Sequence, residues 1–144
     1  GGLLPPSGLY GPWVTSDSPA WHGDFTLDYN QEAQYYAVYS SNHPELAAAY
    51  FPPILDWMPA ARVGANRTAN VANISCAPET LHFACHLAPW GYQSFDTNTY
   101  MHWNGFFAAL LFISSAEYTC NLNHPPQDSA AHCENASLVQ QAVL

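Results

Sequence analysis

The stretch Trp21-His22-Gly23-Asp24-Phe25-Thr26-Leu27-Asp28-Tyr29-Asn30-Gln31-Glu32-Ala33-Gln34-Tyr35-Tyr36 decides how this chain is read. Aromatic rings, carboxylates and amides crowd into it, and it then runs into a helical pattern. From Asp28 onward Tyr29, Ala33, Tyr36 and Ala37 recur at i, i+4, i+7 and i+8, one face of a helix. The same residues suit a sugar. Flat apolar faces pack on pyranose rings, and fixed polar groups meet hydroxyls or a reacting water. Trp21, His22 and Asp24 are therefore candidate sugar contacts, and Asp28 and Asn30 candidates for orienting a water. If 28–30 is extended, residues two apart share a side, so Asp28 and Asn30 would face one sugar. Asp28 has a second reading as a helix cap, since Asp28-x-x-Gln31 fits a capping box. Tyr35, Tyr36 and Tyr39 read more readily as helix core than as a sugar platform.

Upstream, residues 1–27 form an extended Pro/Gly-rich lead-in with little periodicity. Residues 28–144 form one helical-hairpin segment of a single, incomplete domain. Asn42-His43-Pro44-Glu45 has the form of a helix start. Pro52-Pro53 interrupts that second helix, and Ile54-Leu55-Asp56-Trp57-Met58 restarts it. The short connection makes an antiparallel helix hairpin. Residues 63–98 read as loop. Residues 99–118 form a third helix, with Tyr100, Trp103, Phe107, Leu110, Leu111 and Ser114 inward. Asn104-Gly105 offers a rival hairpin turn there, but Ala108-Ala109-Leu110-Leu111 and the length of the run favour helix. Nearly apolar all round, this helix should be buried on most sides. A short helix over 136–143 ends the chain, and the fold class is all-α.

Composition narrows the partners. Two cationic side chains, Arg62 and Arg67, stand against eleven acids, and charged residues make up 9%. An ordinary soluble domain carries about 25%. Nucleic acid needs clustered Lys and Arg, so it is not expected as a partner. No apolar run reaches the length of a membrane span, so no membrane insertion is expected. Sequons at Asn66, Asn73 and Asn135 and four cysteines point to an extracellular, secretory-pathway or lysosome-like lumen. Local pairings Cys76–Cys85 and Cys120–Cys133 are expected, making long disulfide-linked loops. His82, Cys85 and His86 invite a zinc reading because two of them would share a helical face. The sequons and the even cysteine count favour disulfides, so no metal and no cofactor is expected.

Pro19-Ala20-Trp21-His22-Gly23-Asp24-Phe25, followed by Asp28-Tyr29-Asn30-Gln31-Glu32-Ala33-Gln34-Tyr35-Tyr36, resembles the glycoside hydrolase family 95 enzymes. These are α-L-fucosidases and their relatives. The family pattern reads Pro-Trp-x-x-Asp-Tyr, then Asn-x-Asn-x-Gln-x-Asn-Tyr-Trp. Tyr100-Met101-His102-Trp103-Asn104-Gly105-Phe106-Phe107, leading to Ser115-Ala116-Glu117-Tyr118, looks like its Trp-rich helix. The likeness covers residues 10–65 and 85–119. It implies helical hairpins of an (α/α)6 barrel, only part of which fits in 144 residues. The chain would then be a fragment, a processed subunit or a reduced relative.

In the family the two amides of Asn-x-Asn position the attacking water of an inverting hydrolysis. Asn30 matches the second, whereas Asp28 replaces the first and leaves fucose specificity open. The resemblance places the general acid and base beyond residue 144. Asp24 and Asp28 are a weaker candidate pair within the chain. His102 and Trp103 would line the opposite wall, and Trp90, in a Pro/Gly loop, is a further stacking candidate.

The expected function is a segment of a secreted glycosidase that binds carbohydrate and acts with the remainder of the enzyme or other subunits. The alternative is a non-catalytic extracellular glycoprotein that uses the fold for carbohydrate binding or self-assembly.

Overall fold

The computed structural model describes residues 6–11, 13–88, 93–94 and 101–120, with backbone alone at 93–94 and 119–120. Its helices are α1 (Asn30–Ala33), α2 (Phe51–Ala72) and α3 (Asn104–Cys120), with 3-10 turns at Ala20–Gly23 and Pro44–Ala49. The helical class expected from the sequence is observed. It is accompanied by a small sheet of β1 (Phe25–Thr26), β2 (His86–Leu87) and β3 (Gln93–Ser94), which is antiparallel in that order. Phe25 pairs with Leu87 and Thr26 with His86, and the Leu27 N–H donates to the Cys85 carbonyl at 2.8 Å. Strands of two residues carry no periodicity to detect, which is why 85–94 read as loop.

The first expected helix is one α-turn followed by a tighter coil. Tyr35 donates to the Glu32 carbonyl and Val38 to that of Tyr35, at 2.9 and 3.1 Å. With bonds three residues apart, inward positions recur every three residues. Glu32, Tyr35 and Val38 are buried, whereas the predicted face of Tyr29, Tyr36 and Ala37 is exposed.

The Pro52-Pro53 pair opens α2, and the helix runs to Ala72, so residues 63–72 are not loop. Its buried side is Ile54, Trp57, Ala61, Gly64, Ala65 and Ala69. Small residues make a quiet hydrophobic signal, yet they are good neighbours for close packing, and Ala is the best helix former. Asn73 ends α2 in the left-handed conformation, and the Ile74 N–H returns to the Ala69 carbonyl at 3.0 Å.

Asn104-Gly105 starts α3 and forms no hairpin turn. Asn104 is fully buried, and its Nδ2 donates to the Phe83 carbonyl at 3.4 Å. The buried side of α3 is Asn104, Ala108, Leu111, Phe112 and Ser115. This corrects the expected inner face: Trp103 and Leu110 are exposed, and Phe106 is 77% exposed. Tyr100 lies outside the described residues.

Tyr50 stands at the centre of the core. Its ring meets Tyr35 and Phe112 edge to face, and its hydroxyl donates to the Ala108 carbonyl at 3.1 Å. Trp57 ties α2 to the sheet region by packing on Phe25 and donating Nε1–H to the Ala88 carbonyl at 3.2 Å. Among the described residues no helix is long and apolar enough to cross a membrane.

The Cys76–Cys85 pairing is not formed. Cys76 carries a free thiol 3.3 Å from Asn66 Oδ1, on the loop after α2, whereas Cys85 is buried against the start of β2. Cys133, and with it the Cys120–Cys133 pairing, lies outside the described residues.

Candidate functional site

The sheet builds the centre of the site. Asp24 and Thr26 stand two residues apart along one strand direction and so share a side, and Thr26 is paired with His86. That register brings three polar side chains together. Thr26 Oγ1 donates to Asp24 Oδ1 at 3.0 Å, and His86 Nδ1 lies 3.1 Å from Oδ2 and 3.3 Å from Oδ1 of the same carboxylate. All three residues are buried.

Trp21 covers this cluster. Its ring lies 5.8 Å from that of His86, with the planes only 7° apart, and the residue is 63% exposed. The backbone beneath it is strained. Trp21, His22 and Gly23 have φ of 55°, 58° and 67° in succession. A left-handed non-glycine residue costs roughly 1–2 kcal/mol, so two in a row persist only where the surroundings over-determine them. The lead-in supplies part of that restraint. The Leu9 N–H donates to the Asp24 carbonyl at 2.9 Å, and a Cβ on Gly8 would fall 2.2 Å from the Gly23 carbonyl oxygen. Only glycine permits that approach. His22 is exposed beside Trp21.

Asp28 follows β1 in a turn, and Tyr29 has φ 152° and ψ −43°. The segment 28–30 is therefore not extended, and the two-residue argument for a shared side does not hold. The expected capping box of Asp28 and Gln31 is absent too: the N-cap of α1 is Tyr29, whose side chain makes no cap hydrogen bond. What remains is a half-buried Asp28, with Oδ1 removed from solvent and lacking a hydrogen bond, next to an exposed Asn30 on the first turn of α1.

One turn on lies a residue that sequence reasoning passed over. Glu32 is 2% exposed, and both of its carboxylate oxygens are sealed from solvent. Burial pushes its pKa up to about 7 against the pull of backbone N–H groups at Glu32 and Tyr29, and the nearby Asp28 charge adds to the rise. The available signal was its spacing from Asp28 and its place on the three-residue inward repeat with Tyr35 and Val38.

His102 and Trp103 are exposed just ahead of α3. The ring contact of His102 is with His82, at 5.4 Å, and His82 Nδ1 lies 2.8 Å from Thr68 Oγ1 on α2. Burial, then the neighbouring His102, lowers the His82 pKa. These two histidines form a second cluster, separate from the contacts of the Trp21 group. The helical face imagined for His82 and His86 does not exist, because His86 lies in β2 and His82 in the irregular segment before it. Among the described residues no three His, Cys, Asp or Glu side chains converge as a metal shell would require. Of the sequons, Asn66 is exposed on α2 and Asn73 is exposed at its end. Trp90 and Asn135 lie outside the described residues.

A family model, the glycosyl hydrolase family 95 catalytic domain, matches residues 2–121. No curated protein and no solved structure matches the chain.

Proposed function

The chain belongs to the glycosyl hydrolase family 95 catalytic domain, and from that premise we propose that it supplies sugar-binding and water-positioning residues for hydrolysis of a glycosidic bond. The carrying observation is the exposed Trp21 ring, fixed on the buried Asp24–His86 pair shortly before the Asp28–Asn30 turn. A flat apolar face held beside polar groups suits a pyranose. In this reading Trp21 and His22 hold the sugar, and Asp24 acts through His86. Asn30 and the unpartnered oxygen of Asp28 orient a water or a sugar hydroxyl. An inverting hydrolysis needs a carboxylic acid at the leaving oxygen and a carboxylate that takes the proton of the water. Asp24 is committed to His86 and Thr26, which weighs against it as one of these. The acid and base are proposed to come from the remainder of the enzyme, whose further hairpins would complete an (α/α)6 toroid with His102 and Trp103 on another wall.

The same proposal places the protein in a secretory or lysosome-like lumen, with glycans on Asn66, Asn73 and Asn135. A second reading, carbohydrate binding without hydrolysis, is favoured by that commitment of Asp24. The full-length protein, purified from a secreting host, tests both readings. Release of monosaccharide from a panel of aryl glycosides, lost in Asn30→Ala and Trp21→Ala, supports the hydrolase. Binding of methyl glycosides with no release supports the second reading, and neither binding nor release overturns both. A mass unchanged by enzymatic deglycosylation removes the glycans from the proposal.

A further inference from the structure

The lead-in is fastened to both halves of the site. Ser7 Oγ donates to Gln34 Oε1 at 3.1 Å, and Gln34 Nε2 in turn donates to the Asn30 carbonyl at 3.4 Å. Two residues on, the Leu9 N–H reaches the Asp24 carbonyl, and the Gly8 backbone is pressed against the Gly23 carbonyl. Residues 7–9 are thus held at once to the Trp21 platform and to the Asn30 turn. The Gly11 N–H then closes a turn on the Gly8 carbonyl at 2.9 Å, with Gly11 at φ 67°. Tyr10, inside that turn, and Val14, just after it, both return to the platform. A Cβ built on Gly23 would sit 3.8 Å from Tyr10 Cδ2 and 3.8 Å from Val14 Cγ2.

Pinned in this way, the lead-in still leaves its large rings open. Trp13, next to Val14, is 81% exposed and Tyr10 44%, beside Trp21 at 63%. One exposed ring is ordinary, whereas several on a short, fixed stretch make a binding patch. The surroundings select what covers it. From Ser7 to Gly23 there is no Lys or Arg and one carboxylate, Asp17, while Thr15, Ser16 and Ser18 are exposed alongside. A polyanion or an anionic membrane surface has no cation to meet there, and a polycation meets a single acid. A neutral ring edged with hydroxyls matches both the flat faces and the hydroxyl side chains. We propose that Tyr10 and Trp13 form a second sugar position next to the one on Trp21, so that the ligand is an oligosaccharide spanning both, an assignment that rests on Trp21 being a sugar platform.

Two positions accomplish what one open ring does not. A single pyranose on the Trp21 face gains little beyond the freedom it loses on binding. A second unit, bonded to the first, arrives without losing that freedom again, so its stacking adds almost fully to the affinity. Contacts on that unit, remote from the bond to be cleaved, also anchor the reacting one. The ties at Ser7, Gly8 and Leu9 serve the same end, because rings already held in place cost less to order when the ligand arrives.

The test is calorimetric titration of the full-length protein with a panel of methyl glycosides and with disaccharides carrying the same sugars at their non-reducing ends. The disaccharide matching the best-bound methyl glycoside should bind at least about tenfold more tightly than that glycoside. Trp13→Ala and Tyr10→Ala should each cut this preference at least about threefold, and the double variant should abolish it. Trp13→Phe keeps a flat face and should retain most of it, whereas Trp21→Ala should weaken both ligands. A disaccharide bound no more tightly than the methyl glycoside, or a preference unchanged in the double variant, overturns the second position and leaves the Trp21 reading standing. So does a preference that persists while the urea midpoint falls, which would mean that the two rings pack against another part of the enzyme. Binding of the parent to phosphatidylcholine vesicles that is lost in the double variant, with the sugar preference unchanged, would assign the rings to a lipid surface and overturn it too. No binding of any glycoside overturns the Trp21 reading and this proposal together.

Discussion

His86 Nδ1 lies 3.1 Å from Asp24 Oδ2, and the two side chains are 8% and 6% exposed. Two residues 62 apart in sequence thus form a buried pair through one short stretch of β-ladder. Breaking such a pair is costly in one direction. Removing a single partner leaves the other polar group out of solvent and short of its main contact, typically at about 3–5 kcal/mol. Asp24→Ala and His86→Ala should each lower unfolding stability by about that amount, read from urea transitions of the full chain. Because each single change already forfeits the shared interaction, the double variant should lose well under the sum of the two. Strict additivity would mean that the pair contributes no coupling.

Trp21 presents the opposite balance. Most of its surface is in water, so Trp21→Ala should change stability by no more than about 1 kcal/mol. Trp21→Gly should be at least as stable as the alanine variant, since only glycine adopts its φ of 55° without strain. Both variants should lose affinity for methyl glycosides by at least about tenfold, measured by titration against the unmodified chain. Unchanged affinity would remove the indole from the sugar site while leaving the Asp24–His86 pair intact.

Half of this site was legible from the chain alone. Trp21, Asp24, Asp28 and Asn30 stand close in sequence, and their residue types already suggest the chemistry. His86 was legible only as part of a metal reading, because its true partner is reached by pairing Thr26 with His86 in strands too short to show alternation. Glu32 was missed because the coil winds with three-residue bonds, and the inward face read at helical spacing was therefore the wrong one. The second half of α2 escaped for another reason. Its buried side is largely alanine and glycine, which fit close packing but leave little trace in hydrophobic patterning. In α3 the helix was recognised and its face misjudged, since nearly every side of it is apolar.

Glu32 makes stability depend on pH in a direction opposite to that of most carboxylates. In the unfolded chain its pKa is near the ordinary 4.5, whereas burial holds it at about 7 in the folded state. Between these values the folded protein binds the extra proton, so stability falls as pH rises and is fully present only below the unfolded value. The full shift corresponds to a loss on the order of 3 kcal/mol across that window. Glu32→Gln cannot ionise, so its stability should lack this slope and exceed that of the parent above about pH 7. Denaturation midpoints at several pH values check this. Parallel pH profiles for parent and variant would show that Glu32 is not the group responsible.

Tyr50 separates packing from hydrogen bonding within one side chain. It is 1% exposed, its ring is surrounded by Tyr35, Phe51 and Phe112, and its hydroxyl reaches the Ala108 carbonyl at 3.1 Å. Burial and the nearby Glu32 push its pKa well above the ordinary phenol value, so the hydroxyl keeps its proton and donates throughout the accessible pH range. Tyr50→Phe removes the donor and preserves the ring. Ala108 lies inside α3, where its carbonyl also stands in reach of the helix's own N–H groups, so the loss should be only about 1 kcal/mol. Tyr50→Ala removes the ring as well and leaves a cavity where the 3-10 turn Pro44–Ala49, α2 and α3 meet, at about 3–5 kcal/mol. Urea titrations of the two variants should therefore differ by more than the phenylalanine variant differs from the parent. Equal losses would place the weight on the hydroxyl and make the Tyr50–Ala108 bond, rather than the aromatic cluster, the main tie between α2 and α3.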